Sequence, residues 1–179
     1  MSHLHIPDGV LPWWLVLLGW AVALPVLWLA SRRAGSDRAS LRKVPLLGVV
    51  AALVLVAMST EIVPIAYHIN LTVIAGVLLG PWLSVVAAFI VVLMLALIGH
   101  GGVTVIGLNT VLIAVEMIVG WALFRALVRA LGRRRTPWVA AVSTVLALAL
   151  STTMLVGIVW LGGSLAARWV IHAVSLDQA

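Results

Sequence analysis

The chain of 179 residues contains no cysteine. Disulfides, thiolate metal sites and iron–sulfur clusters are therefore excluded. Charge is almost as scarce, with only 9% of residues Asp, Glu, Lys or Arg. Soluble domains carry roughly 25% charged residues, and 64% of this chain is hydrophobic, so a water-soluble globular fold is ruled out. We find no Gly-rich phosphate-binding loop, no Ser/His/Asp arrangement and no His-Glu-x-x-His helix. Enzymatic activity is not expected, and no organic cofactor is implied. The net charge of +6 does not indicate nucleic acid, because the basic residues lie in short clusters between apolar runs. The amino terminus, Met1 to Gly9, lacks a basic stretch ahead of an apolar one, so no cleavable signal peptide is expected.

The chain reads instead as an all-α, polytopic transmembrane helix bundle. A spanning helix needs roughly 20 predominantly apolar residues. Spans are expected near 13–30, 44–60, 64–80, 82–99, 105–124 and 138–161, the third being short. Ten of the eleven Lys/Arg fall in two loops. One holds Arg32, Arg33, Arg38, Arg42 and Lys43, the other Arg125, Arg129, Arg133, Arg134 and Arg135. The excess of basic residues in cytoplasmic loops puts both inside. An even number of helices must then join them, and Val44 to Phe124 is long enough for four of roughly 20 residues. The breaks are Glu61 to Pro64, Gly80-Pro81 and Gly99 to Gly102, where proline and paired glycines turn a chain. Six spans in a single membrane domain, 1–179, with both termini extracytoplasmic, is the expected architecture. The turns near Glu61–His68 and His100 would face outside and Gly80-Pro81 inside.

The few polar residues carry the chemistry. His3, His5, His68, His100 and His172 all fall on the expected extracytoplasmic side. Imidazole suits nickel, cobalt, copper and zinc, although any one turn histidine can simply be solvated. The amino terminus offers a second nitrogen donor, since an α-amine with a pKa near ~8 gives up its proton readily to a metal. In Met1-Ser2-His3 the histidine is third, or second if Met1 is removed, and either form can close an all-nitrogen chelate that favours nickel(II) or copper(II). Glu116 lies mid-helix and shares a face with Asn109 at i+7. A carboxyl group in the membrane is costly. It reads either as a site for cation or proton chemistry or as a side chain hydrogen-bonded to Ser, Thr or a carbonyl. Gly19, Gly48, Gly76 and Gly120 are expected at close helix packing. Trp13, Trp14, Trp82 and Trp138 flank spans as interface anchors.

Three segments together resemble the CbiM/NikM family, the substrate-binding components of energy-coupling-factor cobalt and nickel importers. They are His5-Ile6-Pro7-Asp8-Gly9-Val10-Leu11, then His68 followed by Leu78-Leu79-Gly80-Pro81-Trp82, then His100-Gly101-Gly102-Val103-Thr104-Val105-Ile106-Gly107-Leu108-Asn109. Val44-Pro45-Leu46-Leu47-Gly48 also fits. The likeness covers roughly residues 4–135, in order and spacing. It implies a metal held by the terminal amine, His5 and His68, with His100 and Asn109 supporting the site. It also implies two ATPase subunits, a coupling transmembrane subunit, cobalamin-related metal supply, and a multi-pass location in a prokaryotic plasma or inner membrane. Nickel or cobalt would be the cargo.

The chain departs from the family in three places. The motif histidine is fifth, so the amine of Met1 lies three residues further from it. Translation from a non-ATG codon read here as Leu4 would restore the family's opening. Alternatively Met1 and His3 form the chelate with His5 in support, or the site has been lost. The turn before His68 (Pro64-Ile65-Ala66-Tyr67) is shorter than the family's, and a seventh span after Val170-Ile171-His172-Ala173 is missing. A non-transporting membrane scaffold and an importer component for an organic substrate are the alternative readings.

Overall fold

The structure, a computed structural model, describes the backbone of residues 6–62, 67–68 and 70–176, and side chains at 6–60 and 70–163. Proline sets most helix starts. Helix α1 (Trp13–Ser36) begins after Pro12, α3 (Val44–Ser59) and α5 (Pro81–Leu97) carry proline in their first turn, and α7 (Thr136–Leu176) has Pro137 there. A first-turn residue has no intrahelical use for its N–H, so proline's missing donor is harmless. The short α2 (Arg38–Leu41) is capped by the Asp37 carboxylate, which accepts from the Ala39 and Ser40 amides. The basic loop is thus a structured turn.

Residues 64–80 differ from the single span expected there. Glu61–Ile62 (β1) pairs antiparallel with Tyr67–His68 (β2), Glu61 opposite His68. Only then does α4 (Thr72–Leu79) begin, eight residues long. At 1.5 Å per residue it rises about 12 Å, against a hydrocarbon core of about 30 Å. The cause is local: the Asn70 side chain accepts the Thr72 amide at 2.9 Å, satisfying a first-turn donor and fixing the helix start there. Gly80, at φ +84, then turns the chain directly into α5.

Helices α1, α6 (Ile106–Leu131) and the segment Arg133–Gly163 are long and apolar enough to cross a membrane. Helices α3 and α5, of 16 and 17 residues, are shorter. The bundle is therefore three long helices, two shorter ones and one half-helix. Helix α1 runs on to Ser36 and α6 to Leu131, into their basic ends, and α7 continues as backbone to Leu176, past the expected end at 161.

The alternation of ends follows the parity expected from the basic loops. Lys43 Nζ donates to the Leu78 carbonyl at 2.9 Å, and the Arg33 guanidinium lies over the Trp82 ring. The first basic loop thus sits beside the Gly80-Pro81 turn. Residues 6–8, the β-hairpin and the loop before α6 lie toward the other end.

Helix α6 is the axis, packed by α1, α4, α5 and α7. The main core joins Val50, Val54, Ala88, Val91, Leu95, Ile113 and Met117. Glycine lets the backbones approach: a Cβ on Gly19 would fall 2.7 Å from Leu108, and one on Gly120 2.7 Å from Val73. Gly76 meets the Met117 carbonyl of α6 in the same way. Gly48 does not, having open space where a Cβ would go. Its face of α3, with exposed Val49, is not a helix contact.

Candidate functional site

The residues ahead of α1 fold back against the loop that leads into α6. Ile6 is only 2% exposed, packed with Leu11, Leu15, Val105, Leu108 and Leu112. Its backbone is held by one side chain. The Ile6 amide donates to Asn109 Oδ1 at 3.0 Å, and Asn109 Nδ2 donates to the Ile6 carbonyl at 3.1 Å. The Gly102 amide donates to the same carbonyl at 3.3 Å. Asn109 therefore acts as a strand would, matching both backbone groups of a single residue.

Two residues on, Asp8 makes a second clasp. Its Oδ2 accepts from the Val103 amide at 2.8 Å. Its Oδ1 accepts from the Thr104 amide at 2.9 Å and the Thr104 hydroxyl at 2.5 Å. Gly102 permits this approach, because a Cβ there would lie 2.6 Å from the Asp8 amide nitrogen. Trp20 of α1 closes the far side, its Nε1 donating to the Thr104 carbonyl at 2.9 Å. The loop is thus held between α1 and the amino-terminal segment.

Hydrogen bonds from Thr104, side chain first and then amide, hold the Asp8 carboxyl below the ordinary aspartate value of 3.8. The lowered value fixes the sign. The carboxylate's contribution is complete above the unfolded value and is lost only as pH falls through the lower folded one. Between pH 5 and 8 the clasp does not titrate.

A third polar cluster surrounds Glu116, 2% exposed on α6. Asn70 Nδ2 donates to its Oε1 at 2.7 Å, and the Thr72 hydroxyl contacts the same oxygen. Ser151 of α7 donates to Oε2 at 2.8 Å. Both oxygens are engaged by neutral groups, in line with the hydrogen-bonded reading of this residue. Glu116 is about 10 Å along α6 from Asn109, at 1.5 Å per residue. The chain entering α4 through Asn70 therefore dips into the bundle.

Met1, His3 and His5 lie outside the described residues. His5 directly precedes the clasped Ile6 in the sequence. His68 is placed by its backbone in β2, two residues before Asn70, and its side chain lies outside the description. His100 sits in the turn after α5, its amide donating to the Leu95 carbonyl at 2.8 Å. Among the described residues no three His, Asp or Glu side chains converge. The structure thus brings together Asn109, Asp8 and the 102–104 loop, and separately Glu116 with Asn70, Thr72 and Ser151. Sequence reading missed Asp8, Asn70, Thr72 and Ser151 as functional partners. For Asp8 a signal exists: it is the only acidic residue ahead of α1.

Residues 5–176 match the CbiM family, described as the cobalt uptake substrate-specific transmembrane region. The chain belongs to the CbiM family. Cobalt transport protein CbiM of Geobacter sulfurreducens is 38% identical over 133 residues, covering 70% of this chain and 38% of that protein. The fused nickel transport protein NikMN of Rhodobacter capsulatus is 35% identical over 136 residues, covering 73% and 38%. The chain thus spans 38% of the length of each of these relatives. A crystal structure of a transition metal transporter shares the fold with a TM-score of 0.72 at 22% identity, over 82% of this chain and 66% of that one. The CbiM match begins at His5, one residue ahead of Ile6, the residue that Asn109 holds.

Proposed function

We propose that this CbiM-family chain is the metal-capture membrane subunit of an ATP-driven importer of the energy-coupling-factor type, with nickel or cobalt as cargo. The observation that carries the reading is the pair of clasps. Three backbone and side-chain bonds at Ile6 and three at Asp8 hold a short polar segment against an apolar bundle. Ordering a short irregular segment in this way costs entropy. A clasped residue directly after His5 is what a preorganised ligand there needs. His5, a terminal amine and His68 would supply nitrogen donors, with His3 as the alternative partner of the amine. Asn109 and the His100 loop would support them.

Nitrogen ligands must be unprotonated to bind a divalent ion. Capture should therefore weaken as pH falls through the ordinary imidazole range near ~6.5, while the Asp8 clasp stays intact. ATP hydrolysis and coupling belong to partner subunits in this reading, and reorientation of the bundle in a prokaryotic plasma membrane would release the ion. The test is uptake of radioactive nickel and cobalt by cells lacking their own importers, with the chain expressed alone, with its ATPase and coupling partners, and as His68→Ala. Accumulation is expected only with partners present, and at background level in the variant. Accumulation unaffected by His68→Ala would reject the assignment.

A further inference from the structure

The polar cluster at Glu116 has no part in the clasp, yet it sits where the half-helix begins. Four features converge there. Helix α4 starts inside the bundle, so its first-turn amides cannot turn to water and need partners within the protein. Asn70 supplies one, accepting from the Thr72 amide at 2.9 Å and the Thr72 hydroxyl at 2.5 Å. Asn70 is in turn fixed by its own Nδ2 on Glu116 Oε1 at 2.7 Å. The other carboxyl oxygen reaches α7 through Ser151 at 2.8 Å. Below this level α4 is seated on α6 by glycine contacts at Gly76–Met117 and Val73–Gly120. The cluster is thus the upper end of a seam joining α4 to α6, and among the described residues the Asn70–Glu116 bond ties the chain ahead of α4 to α6.

We infer that Glu116 is a positioning residue for the hairpin that carries His68. His68 is two residues ahead of Asn70, and its backbone pairs with Glu61 of β1, two residues after α3 ends. Among the described residues the hairpin's second strand is thus held on one side by pairing with Glu61–Ile62 and on the other, through Asn70 and Glu116, by α6 and α7. Loss of Glu116 removes the hold on α6 and α7. The role needs hydrogen-bonding geometry and no charge. A glutamine keeps an oxygen to accept from Asn70, and its amide can donate to Ser151, whose hydroxyl also reaches the Leu148 carbonyl. The inference rests on the metal-capture reading, and its test separates the two.

Because the chain has no cysteine, Tyr67→Cys gives a single site for a nitroxide label in the hairpin. Label mobility would be compared in the full-length chain with Glu116, Glu116→Gln and Glu116→Ala, and nickel affinity measured beside it on the unlabelled proteins. Glu116→Ala is expected to raise mobility and to weaken nickel binding at least tenfold, with Glu116→Gln close to the unmutated chain in both. Unchanged mobility in Glu116→Ala would overturn the inference, and so would raised mobility with unchanged affinity. A glutamine variant as impaired as the alanine one would also overturn it, since charge would then be required. Should Glu116→Ala fail to fold, Ser151→Ala and Thr72→Val, each removing one partner, carry the same comparison. If the unmutated chain does not bind nickel, the capture reading fails, and label mobility alone then decides whether Glu116 positions the hairpin.

Discussion

Asn109→Leu is expected to release residues 6–10 and to lower stability by about 2 kcal/mol, near the middle of the ~1–3 kcal/mol for a buried polar group left without a partner. The two side chains branch alike, but leucine methyl groups cannot approach as closely as the hydrogen-bonded atoms they replace. The hydrogen bonds change completely. The Ile6 amide loses the Oδ1 acceptor at 3.0 Å and the Ile6 carbonyl loses the Nδ2 donor at 3.1 Å. The carbonyl still has the Gly102 amide, whereas the amide, in a residue 2% exposed, has no replacement among the described residues. The segment escapes this cost only by leaving the apolar pocket of Leu11, Leu15 and Leu108. Hydrogen exchange at residues 6–10 should rise by one to two orders of magnitude, following ~1.4 kcal/mol per factor of ten. If exchange there is unchanged, Asn109 does not hold the segment. Asp8 cannot compensate, because its bonds fix residue 8 to the Val103 and Thr104 amides and leave Ile6 untouched.

Gly76→Val is expected to be more damaging still. A Cβ at residue 76 would lie 2.2 Å from the Met117 carbonyl oxygen and 2.9 Å from its carbon. Both atoms are backbone of the central helix, so no side-chain rotation relieves the clash. Overpacking commonly costs ~1–3 kcal/mol. With backbone as the obstacle we expect the upper end or beyond, and failure to purify as a monodisperse protein in detergent. Gly48→Ala is the control. Nothing lies within 4 Å of a Cβ there, and alanine in a helix interior is favoured over glycine by ~0.5–1 kcal/mol. Thermal unfolding in detergent should place Gly48→Ala at or above the unmutated chain and Gly76→Val far below it. Similar melting of the two variants would contradict the seam between α4 and α6.

Much of the fold was legible in the sequence because it follows from averages. Scarce charge and long apolar runs specify a helical membrane bundle, and the expected neighbourhood of the first basic loop and the Gly80-Pro81 turn matches the bond from Lys43 to Leu78. The half-helix was not legible. Residues 71–80 are as apolar as any span, and what shortens α4 is the single contact of Asn70 with the Thr72 amide. A hydropathy window sums over such a contact. The glycines divide the same way: Gly19, Gly76 and Gly120 lie at helix contacts while Gly48 faces open space, and nothing in the sequence around Gly48 distinguishes it.

The site was legible in part. Asn109 and Glu116 share a helical face, yet one holds Ile6 and the other Asn70 and Ser151. The i+7 spacing shows that both point inward and says nothing about what they meet. Asp8 finds its partners 95 and 96 residues away, a pairing that no local pattern reveals. His68 was read in the extracytoplasmic turn near Glu61–His68. The structure puts its strand directly ahead of a helix start level with the middle of α6, because Asn70 reaches Glu116.

Calorimetric titration of the purified chain with nickel and with cobalt, beside His68→Ala, reaches the metal-capture assignment most directly. The amino terminus should be untagged and its mass confirmed, because a displaced amine alters the ligand set. One equivalent of metal is expected to bind tightly, more weakly below pH ~6.5, with at least a hundredfold loss in His68→Ala. No binding by a chain of verified amino terminus, or equal binding by His68→Ala, would contradict metal capture at this site.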